Sequence, residues 1–123
     1  MRYLTDRKRA VGKGSAHSGA EHHWYMIVSS GALAFMVPTF LYIFGNALGS
    51  GYDAALATFQ RPFPAILTGL VLVVGLQHFH KGARVMIEDY TQGSTRKLLI
   101  MLVIGLSYAL TAAGLFALAK IAL

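Results

Sequence analysis

The sequence predicts an all-α membrane protein of three transmembrane helices. Three observations carry that prediction. Of its 123 residues, 55% are hydrophobic and only 13% are charged, against about 25% charged in soluble domains. Three apolar runs, at about 24–47, 64–90 and 95–122, are each long enough to cross a bilayer core about 30 Å thick. The basic residues are clustered: Arg2, Arg7, Lys8, Arg9 and Lys13 are opposed at the start of the chain only by Asp6. A basic tail also fits nucleic acid. Beside long apolar runs it reads instead as a cytoplasmic flank, and no nucleic-acid partner is expected.

The expected organisation is a basic cytoplasmic tail over 1–23 and one membrane anchor over 24–123. Residues 1–20 include Gly12-Lys13-Gly14-Ser15-Ala16-His17-Ser18-Gly19. They show no apolar periodicity and read as irregular. The basic start is not a signal peptide, since the apolar run behind it is too long for a signal core.

The first span carries no charge, and Trp24 and Tyr25 sit at its start as interfacial aromatics do. Pro38 is expected to kink it, because proline lacks an N–H and clashes with the preceding turn. Residues 48–63 connect to the next span. Within them Asp53 reads as the N-cap of a short helix at about 53–60, with Leu56 and Phe59 facing lipid in the interface. Arg61-Pro62-Phe63-Pro64 then starts the second span, since proline is accepted in a first turn.

The second span is apolar in its first half. Its second half carries Gln77, His78, His80, Lys81, Arg84, Glu88 and Asp89. No proline interrupts it, so one helix is expected to run on to Tyr90. Thr91-Gln92-Gly93-Ser94 makes the turn. The third span follows Arg96 and Lys97 and carries no further charge until Lys120. Gly105, Ala109 and Ala113 recur four apart, a pattern that lets helices approach closely. The tail, Lys81, Arg84, Arg96 and Lys97 fall on one side of the membrane. The positive-inside rule places the N-terminus in the cytoplasm and the C-terminus in the periplasm.

Ionisable residues inside a membrane are costly, so the second half of the second span is the functional candidate. His78 lies fourteen residues beyond Pro64, about 21 Å along the helix. Asp89 is eleven residues further, about 16 Å away and within about 20° of the same face. His80 is about 200° from His78. Gly75 and Gly82 flank His78 by one turn and are expected to clear space for a flat group beside it. Plainer readings stay open. A membrane histidine also serves to hydrogen-bond a neighbouring helix. The glycines also fit helix packing, Asp89 and Tyr90 an end-cap and an aromatic anchor, and Lys81 and Arg84 snorkelling to headgroups. For His17, His22 and His23 the plain reading is a solvated tail. The chain has no cysteine, so it cannot by itself hold an iron–sulfur cluster. The first and third spans carry no histidine within the membrane. Iron held by His78 therefore takes its second ligand from another chain.

With these residues identified, the chain resembles the small membrane-anchor subunits of succinate dehydrogenase (respiratory complex II), D-type, in their alphaproteobacterial form. Three features carry the resemblance: three spans at this length with the N-terminus inside; His78 followed eleven residues on by Asp89-Tyr90; and the stretch Gly14-Ser15-Ala16-His17-Ser18-Gly19-Ala20-Glu21-His22-His23-Trp24 leading into the first span. It covers essentially the whole chain.

The resemblance implies that His78 is an axial ligand of haem b iron, with the other ligand on the larger cytochrome b anchor subunit. It implies that Tyr90 hydrogen-bonds a ubiquinone carbonyl oxygen and that Asp89 organises that site. It implies partner flavoprotein and iron–sulfur subunits, which hold flavin and iron–sulfur clusters, and a place in the bacterial inner (cytoplasmic) membrane among its lipids. Such a chain contributes to succinate:ubiquinone oxidoreduction without being an enzyme alone. The sequence departs from many relatives in one respect. They carry an arginine early in the first span that helps neutralise a haem propionate, where this chain has Met26-Ile27-Val28. Arg84 and His17 are the candidates to replace it. The alternatives are a haem-binding anchor of a fumarate reductase, a small proton-conducting transporter subunit, and a structural anchor with no cofactor.

Overall fold

The computed structural model describes residues 3–12 and 19–123. The described residues form five helices and no strand: α1 (Asp6–Val11), α2 (Gly19–Leu48), α3 (Tyr52–Gln60), α4 (Pro62–Tyr90) and α5 (Gly93–Ala122). Three of them, α2, α4 and α5, are long and apolar enough to cross a membrane.

The short helix α1 falls in the segment read from sequence as irregular. Thr5 caps it, its hydroxyl accepting from the Lys8 N–H at 3.2 Å, and Asp6 complements the positive end of the helix dipole. The membrane helix α2 begins at Gly19 rather than Trp24. Hydropathy marks the apolar part of a helix, and Glu21, His22 and His23 continue it into the polar interface. The helix runs unbroken through Pro38.

Asp53 does not cap α3. The cap position is Gly51, whose φ of 88° favours glycine, and Asp53 lies inside the first turn. Leu56 and Phe59 are both half-buried, and the Phe59 ring lies 6.3 Å from that of Phe44 on α2. The helix α3 packs against α2, α4 and α5, closing one end of the bundle.

At the other end, α4 stops at Thr91, whose extended backbone caps the helix with an N–H bond to Ile87 O. The Arg96 Nε donates to Thr91 O at 2.6 Å, and Gly93, at φ 64°, starts α5. The result is a layer with α4 in the middle. It packs against both α2 and α5, while the backbones of α2 and α5 do not approach each other closely among the described residues.

Glycines set the α4–α5 approach, though not those expected. A Cβ at Gly114 would lie 2.9 Å from Leu72 Cδ1, and one at Gly69 3.5 Å from Leu118 Cδ2. Gly105, Ala109 and Ala113 are all exposed, with nothing within 4 Å of a Cβ at Gly105. Gly105 and Ala109 lie well round α5 from Gly114, and Ala113 is on its flank, so the repeat does not form the α4 contact. Few of the described side chains are buried: Ala47, Pro64, Leu67 and Ile87 among the apolar, Ser29, His80 and Ser107 among the polar. Both broad faces of the layer are therefore apolar, as surfaces meeting lipid or other membrane helices must be.

Candidate functional site

The unbroken α4 carries every described site residue that the sequence singled out, and it separates the two histidines by partner helix. His78 turns to α2, where its Nδ1 lies 2.7 Å from Ser29 Oγ. That hydroxyl also lies 2.7 Å from the Tyr25 carbonyl oxygen and 3.2 Å from that of Met26, on its own helix. A serine hydroxyl has one proton and two lone pairs. If the proton goes to the Tyr25 carbonyl, Nδ1 must carry hydrogen and donate to Oγ, and every contact is attractive. The reverse assignment leaves hydroxyl lone pairs against two carbonyl oxygens at short range. The chain His78 Nδ1–H to Ser29 O–H to Tyr25 C=O is therefore the favoured one. It leaves Nε2 with its lone pair free. Nε2 has no hydrogen-bond partner among the described residues.

His80 turns to α5. Its ring centroid lies 5.8 Å from that of Tyr108, tilted by 38°. It is only 8% exposed, and its buried Nδ1 has no partner among the described residues. Its ring is packed against α5, and its remaining exposed edge borders the cleft described below. Gly75 and Gly82 do not clear room for such a group beside His78. A Cβ at either would meet α2, Leu33 Cδ2 at 3.9 Å and Met26 Cε at 3.6 Å respectively. The space they leave is occupied by α2 side chains, so they serve the α2–α4 packing.

Toward the end of α4, the Lys81 ammonium stands 3.6 Å from the centre of the Tyr25 ring, a cation–π contact that ties α4 to α2. Arg84 Nε donates to Glu88 Oε1 at 2.8 Å. These residues, with His22 and His80, line an open cleft of about 410 Å³. Arg84 thus lies on the flank of α4 that borders the cleft, about 120° round the helix from His78. His17 lies outside the described residues.

Asp89 and Tyr90 end α4 and are both exposed, Tyr90 at 86%. Neither side chain has a hydrogen bond or ion pair among the described residues. Asp89 is not the cap, since Thr91 supplies it. A carboxylate in the last turn opposes the helix dipole, and Glu88 but not Asp89 is offset by Arg84. Helix stability therefore does not account for Asp89.

Sequence reasoning missed Ser29, Tyr25 and Tyr108. Ser29-Ser30 stood as a polar pair in an otherwise apolar span, but nothing in the pattern said which helix it faces. Among the described residues no cluster of three or more His, Cys, Asp or Glu could hold a metal ion.

These features define a class: a multi-pass helical membrane protein whose central helix presents one imidazole within the bilayer and an Asp-Tyr pair at its end. Comparison with known proteins makes that class specific. The family described as "Succinate dehydrogenase/Fumarate reductase transmembrane subunit" matches residues 1–114. A "Succinate dehydrogenase hydrophobic membrane anchor subunit" from Paracoccus denitrificans is 48% identical over 123 residues, covering 100% of this chain and 95% of the relative. No solved structure matches the chain significantly. The chain belongs to the succinate dehydrogenase/fumarate reductase transmembrane subunit family. With three membrane-long helices, it is a multi-pass protein of the bacterial inner membrane.

Proposed function

We propose that this chain is the membrane anchor of a succinate:ubiquinone oxidoreductase, giving haem b one axial ligand and ubiquinone part of its reduction site. The observation that carries the haem assignment is the state of His78. Its Nδ1 is held by Ser29 and its Nε2 has no partner among the described residues. A neutral imidazole of this kind binds iron without burying a charge. Haem, when bound, supplies a one-electron redox centre. His80, 8% exposed and packed against the Tyr108 ring, is the poorer ligand.

The quinone assignment rests on the resemblance and on the chemistry of the end of α4. Tyr90 has a hydroxyl, without a partner among the described residues, to donate to a ubiquinone carbonyl oxygen. Asp89 beside it is a carboxylate with no ion pair among the described residues, suited to organising that site. Arg84 is the described cation we assign to a haem propionate. Its pair with Glu88 is exposed on both sides, and such pairs are weak enough to exchange. The second iron ligand falls to a larger cytochrome b anchor subunit, and flavin and iron–sulfur clusters to two further partners. The N-terminus is cytoplasmic and the C-terminus periplasmic, in keeping with the basic residues at the shared end of α2, α4 and α5.

The family description includes fumarate reductase. The name of the Paracoccus denitrificans relative favours the succinate direction. Family membership also replaces the transporter reading. A tag on this chain tests the proposal. It should retrieve from detergent-solubilised membranes a complex that oxidises succinate, reduces ubiquinone and absorbs as a b-type haem. Retrieval of the chain without succinate oxidation or haem would overturn it.

A further inference from the structure

We infer that Ser29 is the positioning residue for the iron ligand: it holds His78 in the tautomer and ring orientation that present Nε2 outward. The inference rests on the haem reading of His78 and extends it to a residue on a different helix. Ser29 is 4% exposed, so water does not compete for its hydroxyl. Its proton is committed to the carbonyl of Tyr25 at 2.7 Å, which leaves the oxygen as an acceptor facing His78 Nδ1 at 2.7 Å. A histidine in a membrane without such an acceptor is free to protonate either nitrogen and to rotate about its side-chain bonds. The Ser29 contact removes both freedoms before any iron arrives.

Two neighbouring contacts keep the acceptor in place. Ser29 sits one turn after Tyr25, whose ring is clamped by Lys81 at 3.6 Å. Gly82 admits Met26 against α4, with Met26 Cε 3.6 Å from where a Cβ would be. Lys81 and Gly82 lie within about a turn of His78. The α2–α4 contact is thus built around the Ser29–His78 bond, and the glycine one turn beyond the ligand has a stated task in it. Outer partners of metal-bound histidines also raise ligand basicity, and their loss typically costs about ten- to a hundredfold in metal affinity.

The test uses the purified complex with Ser29→Ala, Ser29→Thr, Ser29→Val and His78→Ala. Two readouts are taken besides turnover: the low-spin EPR signal of the oxidised haem, and the rate at which haem transfers to an excess of an apo-haem-protein. Ser29→Ala should shift the EPR signal and speed haem transfer about tenfold or more. Ser29→Thr, which keeps a hydroxyl, should stay near the parent. Ser29→Val matches threonine in shape and should behave like Ser29→Ala, so a purely steric effect is separated from loss of the hydroxyl. If Ser29→Ala and Ser29→Val keep the parent signal and haem-transfer rate while His78→Ala loses the ligation, the positioning role is overturned and the ligand reading stands. If His78→Ala leaves the EPR signal unchanged, the reading beneath it falls instead.

Discussion

Tyr90→Phe removes one hydroxyl and nothing else, and the structure makes its effect calculable. The ring is 86% exposed, and the hydroxyl bonds to nothing among the described residues. The end of α4 is fixed by Thr91, Ile87 and Arg96 instead. Folding and assembly should therefore be close to unchanged. At the proposed site the hydroxyl donates to a quinone oxygen that gains electron density on reduction. A hydrogen bond to a charged partner contributes about 1.5–3 kcal/mol. At about 1.4 kcal/mol per factor of ten, quinone reduction should fall about 10- to 100-fold. The assay is succinate-driven ubiquinone reduction, set beside succinate oxidation by an artificial acceptor in the same preparation. The first should fall and the second should hold. Unchanged quinone reduction would refute the reasoning. Equal loss of both activities would show that the hydroxyl serves assembly, contrary to its exposure.

Other outcomes follow from the same geometry. Asp89→Asn should slow quinone reduction while sparing the haem spectrum, because the carboxylate has no ion pair among the described residues and is about 16 Å along the helix from His78. Gly114→Ile should destabilise the purified complex by about 1–3 kcal/mol, since even a Cβ there stands 2.9 Å from Leu72 Cδ1 and overpacking carries that penalty. Thermal inactivation measures it, and Gly105→Ala, with nothing within 4 Å, is the control that should stay near neutral. Arg84→Ala should change stability little, since its ion pair with Glu88 is exposed. A lowered haem content in that variant, measured as haem per complex, would bear out its propionate role.

Much of this was legible in the sequence, for identifiable reasons. The three spans follow from run length and lack of charge, and an uninterrupted α4 follows from the absence of proline between Ala65 and Tyr90. Helical phase alone put His78 and His80 on opposite sides. The ends of α2 were not legible, because Glu21 and His22 are helical without being apolar. Which neighbour each face of α4 meets was also not legible. The repeat at Gly105, Ala109 and Ala113 showed where α5 is smooth, but α4 packs against Gly114. Gly75 and Gly82 looked like space for a ligand and proved to be filled by Leu33 and Met26. Ser29 could be recognised only once α2 lay beside α4, since its importance is a distance between residues 49 positions apart.

The central claim is that His78, and not His80, holds haem iron. A reduced-minus-oxidised spectrum of the purified complex, taken for His78→Ala and His80→Ala side by side, tests it most directly. The b-type bands should be lost or moved in His78→Ala and kept in His80→Ala. Bands unchanged in His78→Ala, or lost only in His80→Ala, would contradict it.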